Sequence, residues 1–154
     1  MTDRHRLAPG VLAIDAVLGC VTAQVAQAVE AEIDVVQIRE RDLDARSLFR
    51  VTAAAVAVSR GSMTRILVND RVDVALAAGA DGVHLRADST PAWRIRPLVP
   101  KSFVIGRSVH SLDELAAAGG ELDYLFAGTV WPSLSKPPGH SSLGPAQLCL
   151  LYTS

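Results

Sequence analysis

The sequence predicts an α/β fold of parallel strands joined by crossover helices, and three observations carry that prediction. Short apolar runs alternate with longer amphipathic ones along the whole chain. An acidic residue (Asp34, Asp81, Asp123) stands before the second, fourth and sixth of those short runs, and each interval holds two strand–helix steps. Hydrophobic residues reach 49% while aromatics stay at 5%, much of the apolar content being Ala and Val, which lets helices pack closely on a buried sheet. Periodicity alone leaves an open doubly wound sheet and a closed barrel both open. The absence of Gly-x-Gly-x-x-Gly after the first run counts against a dinucleotide-binding fold.

Taken in order, the predicted strands are Val11–Ile14, Val35–Ile38, Ile66–Val68, Val83–Leu85, Phe103–Ile105 and Tyr124–Ala127, each bounded by polar residues or Gly. Between them lie helices at Val21–Glu30, Asp44–Ser59, Arg71–Ala78, Pro91–Arg96 and Leu112–Ala118. Ser111 and Glu114 read as a capping box, each side chain satisfying the other residue's backbone donor. Asp70 reads either as the cap of the helix that ends at Gly79 or as a functional carboxylate. Pro91 suits a first helical turn, and Gly119-Gly120 stops the fifth helix.

Composition excludes several classes of function. A chain of 154 residues supports one domain. A net charge of −1 gives no basic excess to release counterions from nucleic acid. Arg94, Arg96, Lys101 and Arg107 lie close in sequence but are flanked by acidic residues on both sides, as on a solvated helix face. Cys20 and Cys149 form no metal-ligand spacing and no disulfide framework. The charged segment Met1–Pro9 has no apolar signal region and no run approaches a membrane span, so a cytoplasmic protein is expected.

If the sheet closes into a barrel, function belongs at the C-terminal strand ends. Those positions read Gln37-Ile38-Arg39-Glu40-Arg41, Asn69-Asp70, His84-Leu85-Arg86-Ala87-Asp88, Gly106-Arg107-Ser108-Val109-His110 and Gly128 through Lys136. Basic groups, carboxylates, hydroxyls and a lysine on one rim suit a phosphorylated substrate, with Mg²⁺ as a fitting metal. His84, among apolar neighbours, reads as a core histidine, and Trp93 and Trp131 as packing residues.

Together with Asn69–Leu76, Ala80–Leu85 and Asp123–Lys136, the Gln37–Arg41 run occurs in the order and spacing of the thiamine-phosphate synthase and TenI family, which the sequence resembles over nearly all of residues 11–148. The resemblance implies a (β/α)₈ TIM barrel, here cut off after about six strands. It implies a cytoplasmic Mg²⁺-dependent transferase of thiamine biosynthesis. That enzyme moves an aminopyrimidine methyl group from its pyrophosphate to thiazole phosphate and releases pyrophosphate. Its partners are those two small substrates, with neither nucleic acid nor membrane, and a homo-oligomer is left open. Position by position it implies that Arg39, Arg41, Ser108 and Lys136 serve catalysis, that Gln37, Asn69, Ser133 and Ser135 bind substrate, and that Asp70 and Asp88 hold the metal.

Departures from the family pattern matter. Arg41 stands where the synthases usually carry lysine, and Arg86-Ala87-Asp88 replaces a longer Gly-Gln-Glu-Asp run. Ile38–Arg41 and Gly106–Ser111 lean toward the TenI branch, which includes thiazole tautomerases. Thr129, however, stands where those enzymes place an acid/base histidine. A tautomerase and a non-catalytic thiazole-phosphate-binding regulator are therefore the alternatives. Residues 149–154, Cys149 to Ser154, match nothing in the family and read as a non-native tail on a partial domain of residues 1–148. With about two strands lacking, this fragment is expected to fold poorly and to be inactive.

Overall fold

The computed structural model describes residues 1–2, 10, 13–131 and 142–153, the last three by backbone alone. Six helices and five strands are seen among them: α1 Ile14–Glu30, β1 Val35–Ile38, α2 Ala45–Ser59, β2 Arg65–Asn69, α3 Val72–Ala78, β3 Gly82–Leu85, α4 Ala92–Ile95, β4 Val104–Val109, α5 Leu112–Ala118, β5 Tyr124–Ala127 and α6 Gly144–Thr153. A 3₁₀ turn at Arg96–Leu98 follows α4. The alternation predicted from the apolar runs is present, and the chain divides into two compact units.

The first unit is Met1–His84 with Ser102–Val104. Its strands pair in parallel, with Val35–Ile38 opposite Arg65–Val68 and Leu67–Asn69 opposite Gly82–His84. Ile66, Leu67 and Val68 are buried in succession, as a strand covered on both faces must be. The α1 helix buries Val17, Val21 and Val25, spaced i, i+4, i+8, and packs on α2, whose Leu48, Val51 and Ala55 are also buried. Each such valine contributes roughly 1.5–3 kcal/mol by leaving water. Asp44 caps α2, its carboxylate accepting the Ser47 N–H at 2.8 Å, which lowers its pKa. No Cβ fits on Gly82, because it would collide with the Val104 carbonyl.

The second unit is Leu85–Lys101 with Ile105–Ser154. Here Gly106–Val109 pairs in parallel with Tyr124–Ala127. Gly106 carries no Cβ because the Tyr124 ring occupies that space, and burial pushes the Tyr124 hydroxyl up to about 12. Leu125 and Phe126 stay exposed on β5.

Several expectations change. No strand ends at Ile14, which opens α1; Val11 and Leu12 lie outside the described residues. The chain beside β1 is instead Thr2, whose N–H donates to the Gln37 carbonyl at 2.8 Å. Phe103 lies before β4, which continues past Ile105 to Val109, so Ser108 lies within the strand. The solvated-face reading of the four cations fails for two of them. Arg107 is 3% exposed, and Arg96 bonds the Asp123 carboxylate at 2.7 Å. Trp93 is exposed with the Arg94 guanidinium over its ring, and Trp131 is exposed too, so neither is a core packing residue. The residues Cys149–Thr153 continue α6, a helix that the apolar pattern did not announce.

Candidate active site

In the first unit the ladder between β1 and β2 ends at Ile38 and Val68, and polar groups begin there. Gln37 donates from Nε2 to Asn69 Oδ1 at 3.0 Å, so these two side chains form one half-buried bridge across adjacent strand ends. Arg39 follows β1, is half-buried, and its guanidinium has no partner among the described residues. Arg41 is exposed two positions further on. Between them Glu40 is buried.

Asp70 adopts φ 65°, the left-handed region that an L residue enters at a cost. Its N–H donates to the His84 carbonyl at 2.9 Å. The cap position of α3 falls on Arg71, and no side chain caps that helix, so the capping role considered for Asp70 is not the one it plays. A half-buried carboxylate held in that conformation at a strand end suits ligand binding. His84 pairs in register with Asn69 and is buried, which depresses its imidazole pKa. The core reading of His84 holds as to burial, yet its strand position is shared with the polar cluster.

The second unit holds two further predicted residues. Asp88 sits in the turn after β3, exposed, with its carboxylate engaged by the Arg86 guanidinium. That turn is fixed from below by Arg107, which donates to the carbonyls of Ala87 (3.1 Å), Ser89 (3.2 Å) and Thr90 (2.5 Å). Ser108, next in sequence, is half-buried on the other face of β4, opposite Phe126. Ser133, Ser135 and Lys136 lie outside the described residues.

Sequence reasoning assigned no individual role to three residues that matter here. Thr2 is 1% exposed and accepts the Arg39 N–H on its hydroxyl at 3.0 Å. Arg107 was grouped with surface cations. His110 places a ring nitrogen against the Gly128 carbonyl, while its own N–H donates to Glu114 at 2.5 Å. Only a buried arginine's preference for bidentate carbonyl or carboxylate partners hints at the second, and nothing local signals the first.

Among the described residues no three His, Cys, Asp or Glu side chains group closely enough to hold a metal by themselves. Mg²⁺ seldom requires that, since it binds through one or two carboxylates and completes its shell with phosphate oxygens and water. Asp70 fits such a role. Asp88 would first have to exchange its Arg86 partner.

The family model for thiamine monophosphate synthase matches residues 13–152. The chain belongs to the thiamine monophosphate synthase family. It is 38% identical over 123 residues to the thiamine-phosphate synthase of Chlorobium limicola, covering 79% of this chain and 59% of that protein. It is 36% identical over 130 residues to the thiamine-phosphate synthase of Methanospirillum hungatei, covering 82% and 63%. Among solved structures, the thiamine phosphate pyrophosphorylase from Pyrococcus furiosus superposes with a TM-score of 0.75 at 30% identity. That match covers 99% of this chain and 67% of the other. The chain thus spans about 60% of the length of these curated relatives. Membership in the thiamine monophosphate synthase family agrees with parallel strands whose polar residues gather at C-terminal ends.

Proposed function

We propose that the whole protein of which this chain forms a part is a thiamine-phosphate synthase. It would transfer an aminopyrimidine methyl group from its pyrophosphate to thiazole phosphate and release pyrophosphate. The observation that carries this reading is the Arg39 guanidinium, half-buried at the end of β1 with no partner among the described residues, beside the bonded pair Gln37–Asn69 and the strained Asp70. A half-desolvated guanidinium at a strand end suits an anionic ligand, and pyrophosphate presents the oxygens for it.

In this reading Arg39 and Arg41 hold the pyrophosphate as its negative charge grows on departure. The amide bridge between Gln37 and Asn69 fixes which hydrogen-bonding edge each presents to substrate. Asp70 holds Mg²⁺, with Asp88 as the second carboxylate; bound Mg²⁺ offsets charge on the leaving group. Ser108, Ser133, Ser135 and Lys136 complete the donors, and the complete protein closes a (β/α)₈ barrel around them. The 1–148 segment is the family domain in this reading. A cytoplasmic setting and small-molecule partners belong to this reading. Among the described residues no helix is long and apolar enough to cross a membrane.

Thr129 supports this transfer reaction over proton shuttling, since an unassisted hydroxyl is a poor acid or base near neutral pH. Arg39→Ala in the whole protein tests the reading. Its kcat/KM for the aminopyrimidine pyrophosphate should fall about a hundredfold or more, the loss of one charged donor to a developing anion. Wild-type turnover from Arg39→Ala would remove Arg39 from the site.

A further inference from the structure

Arg39 lies one residue past the last ladder position of β1, so pairing with β2 does not fix its backbone. Its side chain is long and has no protein partner among the described residues. Where the guanidinium can reach therefore depends on where the Arg39 Cα is held. One hydrogen bond supplies that hold: the Arg39 N–H donates to the Thr2 hydroxyl at 3.0 Å. Thr2 is itself anchored one position earlier, its N–H donating to the Gln37 carbonyl at 2.8 Å. The two bonds straddle Ile38, whose side chain is fully buried.

From this geometry we infer that Thr2 is a positioning residue for the anion-binding end of β1. Its hydroxyl replaces the missing ladder partner of Arg39, and its N–H pins Gln37, whose side chain continues to Asn69. Thr2 is 1% exposed, so water does not compete for the hydroxyl, and removing it strands the Arg39 N–H in a dry place. A free strand end would let the Arg39 backbone sample many positions and would raise the entropic cost of gripping an anion. Thr2 touches no substrate in this account. It acts by reducing the freedom of a residue that does. The inference rests on the reading of Arg39 as a pyrophosphate ligand.

The experiment compares wild type with Thr2→Val, which keeps shape and removes the hydroxyl, and Thr2→Ser, which restores it. Amide exchange at Arg39 is followed by NMR, and affinity for inorganic pyrophosphate with Mg²⁺ by calorimetry. Thr2→Val should speed Arg39 amide exchange and weaken pyrophosphate about fivefold, the worth of roughly one hydrogen bond. Thr2→Ser should match wild type in both and in melting temperature, while Thr2→Val should melt lower by the cost of the stranded amide. If Thr2→Val proves unstable, Thr2→Ala gives the same comparison with less steric demand. Unchanged Arg39 exchange in the variant lacking the hydroxyl overturns the inference, as does a serine variant that fails to rescue. Should the wild type bind no pyrophosphate, the synthase reading fails, and Arg39 exchange alone then decides whether Thr2 holds this strand end.

Discussion

His84 is a neutral group by placement. Burial beside Asn69 depresses its imidazole below the ordinary 6.5. The unfolded chain therefore binds a proton that the folded chain resists. The contribution is whole above 6.5 and is lost as pH falls from there through the folded value. Urea midpoints measured at pH 7.5 and 5.0 should drop more for wild type than for His84→Gln. Equal drops would show that carboxylates alone set the acid sensitivity. The Thr52 hydroxyl offers a second test. It is buried on α2 with no hydrogen-bond partner among the described residues. Thr52→Val keeps the branched shape and removes the orphaned group, and should stabilise by about 1 kcal/mol in equilibrium unfolding. At this scale the charged positions were legible: Arg39 and Asp70 directly follow the ends of β1 and β2, where the apolar runs stop. Pairings across loops were not. That Asp88 is taken by Arg86, and that Arg107 turns inward onto the carbonyls of Ala87, Ser89 and Thr90, depends on turn geometry that residue types do not encode.

At the level of elements, the repeated acids have a physical cause. The Asp81 carboxylate accepts the Ile66 N–H at 2.7 Å while the Asp81 N–H returns to the Ile66 carbonyl at 2.9 Å. Asp123 does the same for Ile105, at 2.7 and 2.8 Å. Each acid thus closes the open start of the neighbouring strand. Asp34 occupies the matching place before β1 and uses its backbone carbonyl, accepting the Arg65 N–H at 2.8 Å. Asp81→Ala should cost about 1 kcal/mol, seen as a lower urea midpoint together with faster exchange of the Ile66 amide. Faster exchange throughout β2 with no preference for Ile66 would contradict the local role. The repeat was visible in the sequence, though its cause was not, since nothing in a spacing says which amide a carboxylate meets. The capping box was half right: Ser111 accepts the Glu114 N–H at 3.1 Å, but Glu114 reaches back to His110 rather than to Ser111. The strand end expected at Ile14 failed for a definable reason. Ala13 offers no side-chain cap, so no start signal marks α1, and Ile14 was read with the apolar run before it instead of with Val17, Val21 and Val25. Packing against α2 decides that boundary, and packing is not a local property.

For the whole molecule, the alternation of strands and helices was legible because buried parallel strands need short apolar runs and their crossovers need amphipathic ones. Periodicity could not distinguish a barrel from an open sheet, and the choice came from motif order, which the family match then supported. The polar residues at strand ends lie in two units, and the donors Ser133, Ser135 and Lys136 fall outside the described residues. The central claim is therefore about the complete protein. Its most direct test is to incubate that protein with Mg²⁺, the aminopyrimidine methyl pyrophosphate and thiazole phosphate, and to follow the joined product and free pyrophosphate together. The account predicts equal amounts of both, lost when Mg²⁺ is chelated. Thiazole phosphate bound with neither product nor pyrophosphate formed would contradict it and leave a binding protein in place of an enzyme.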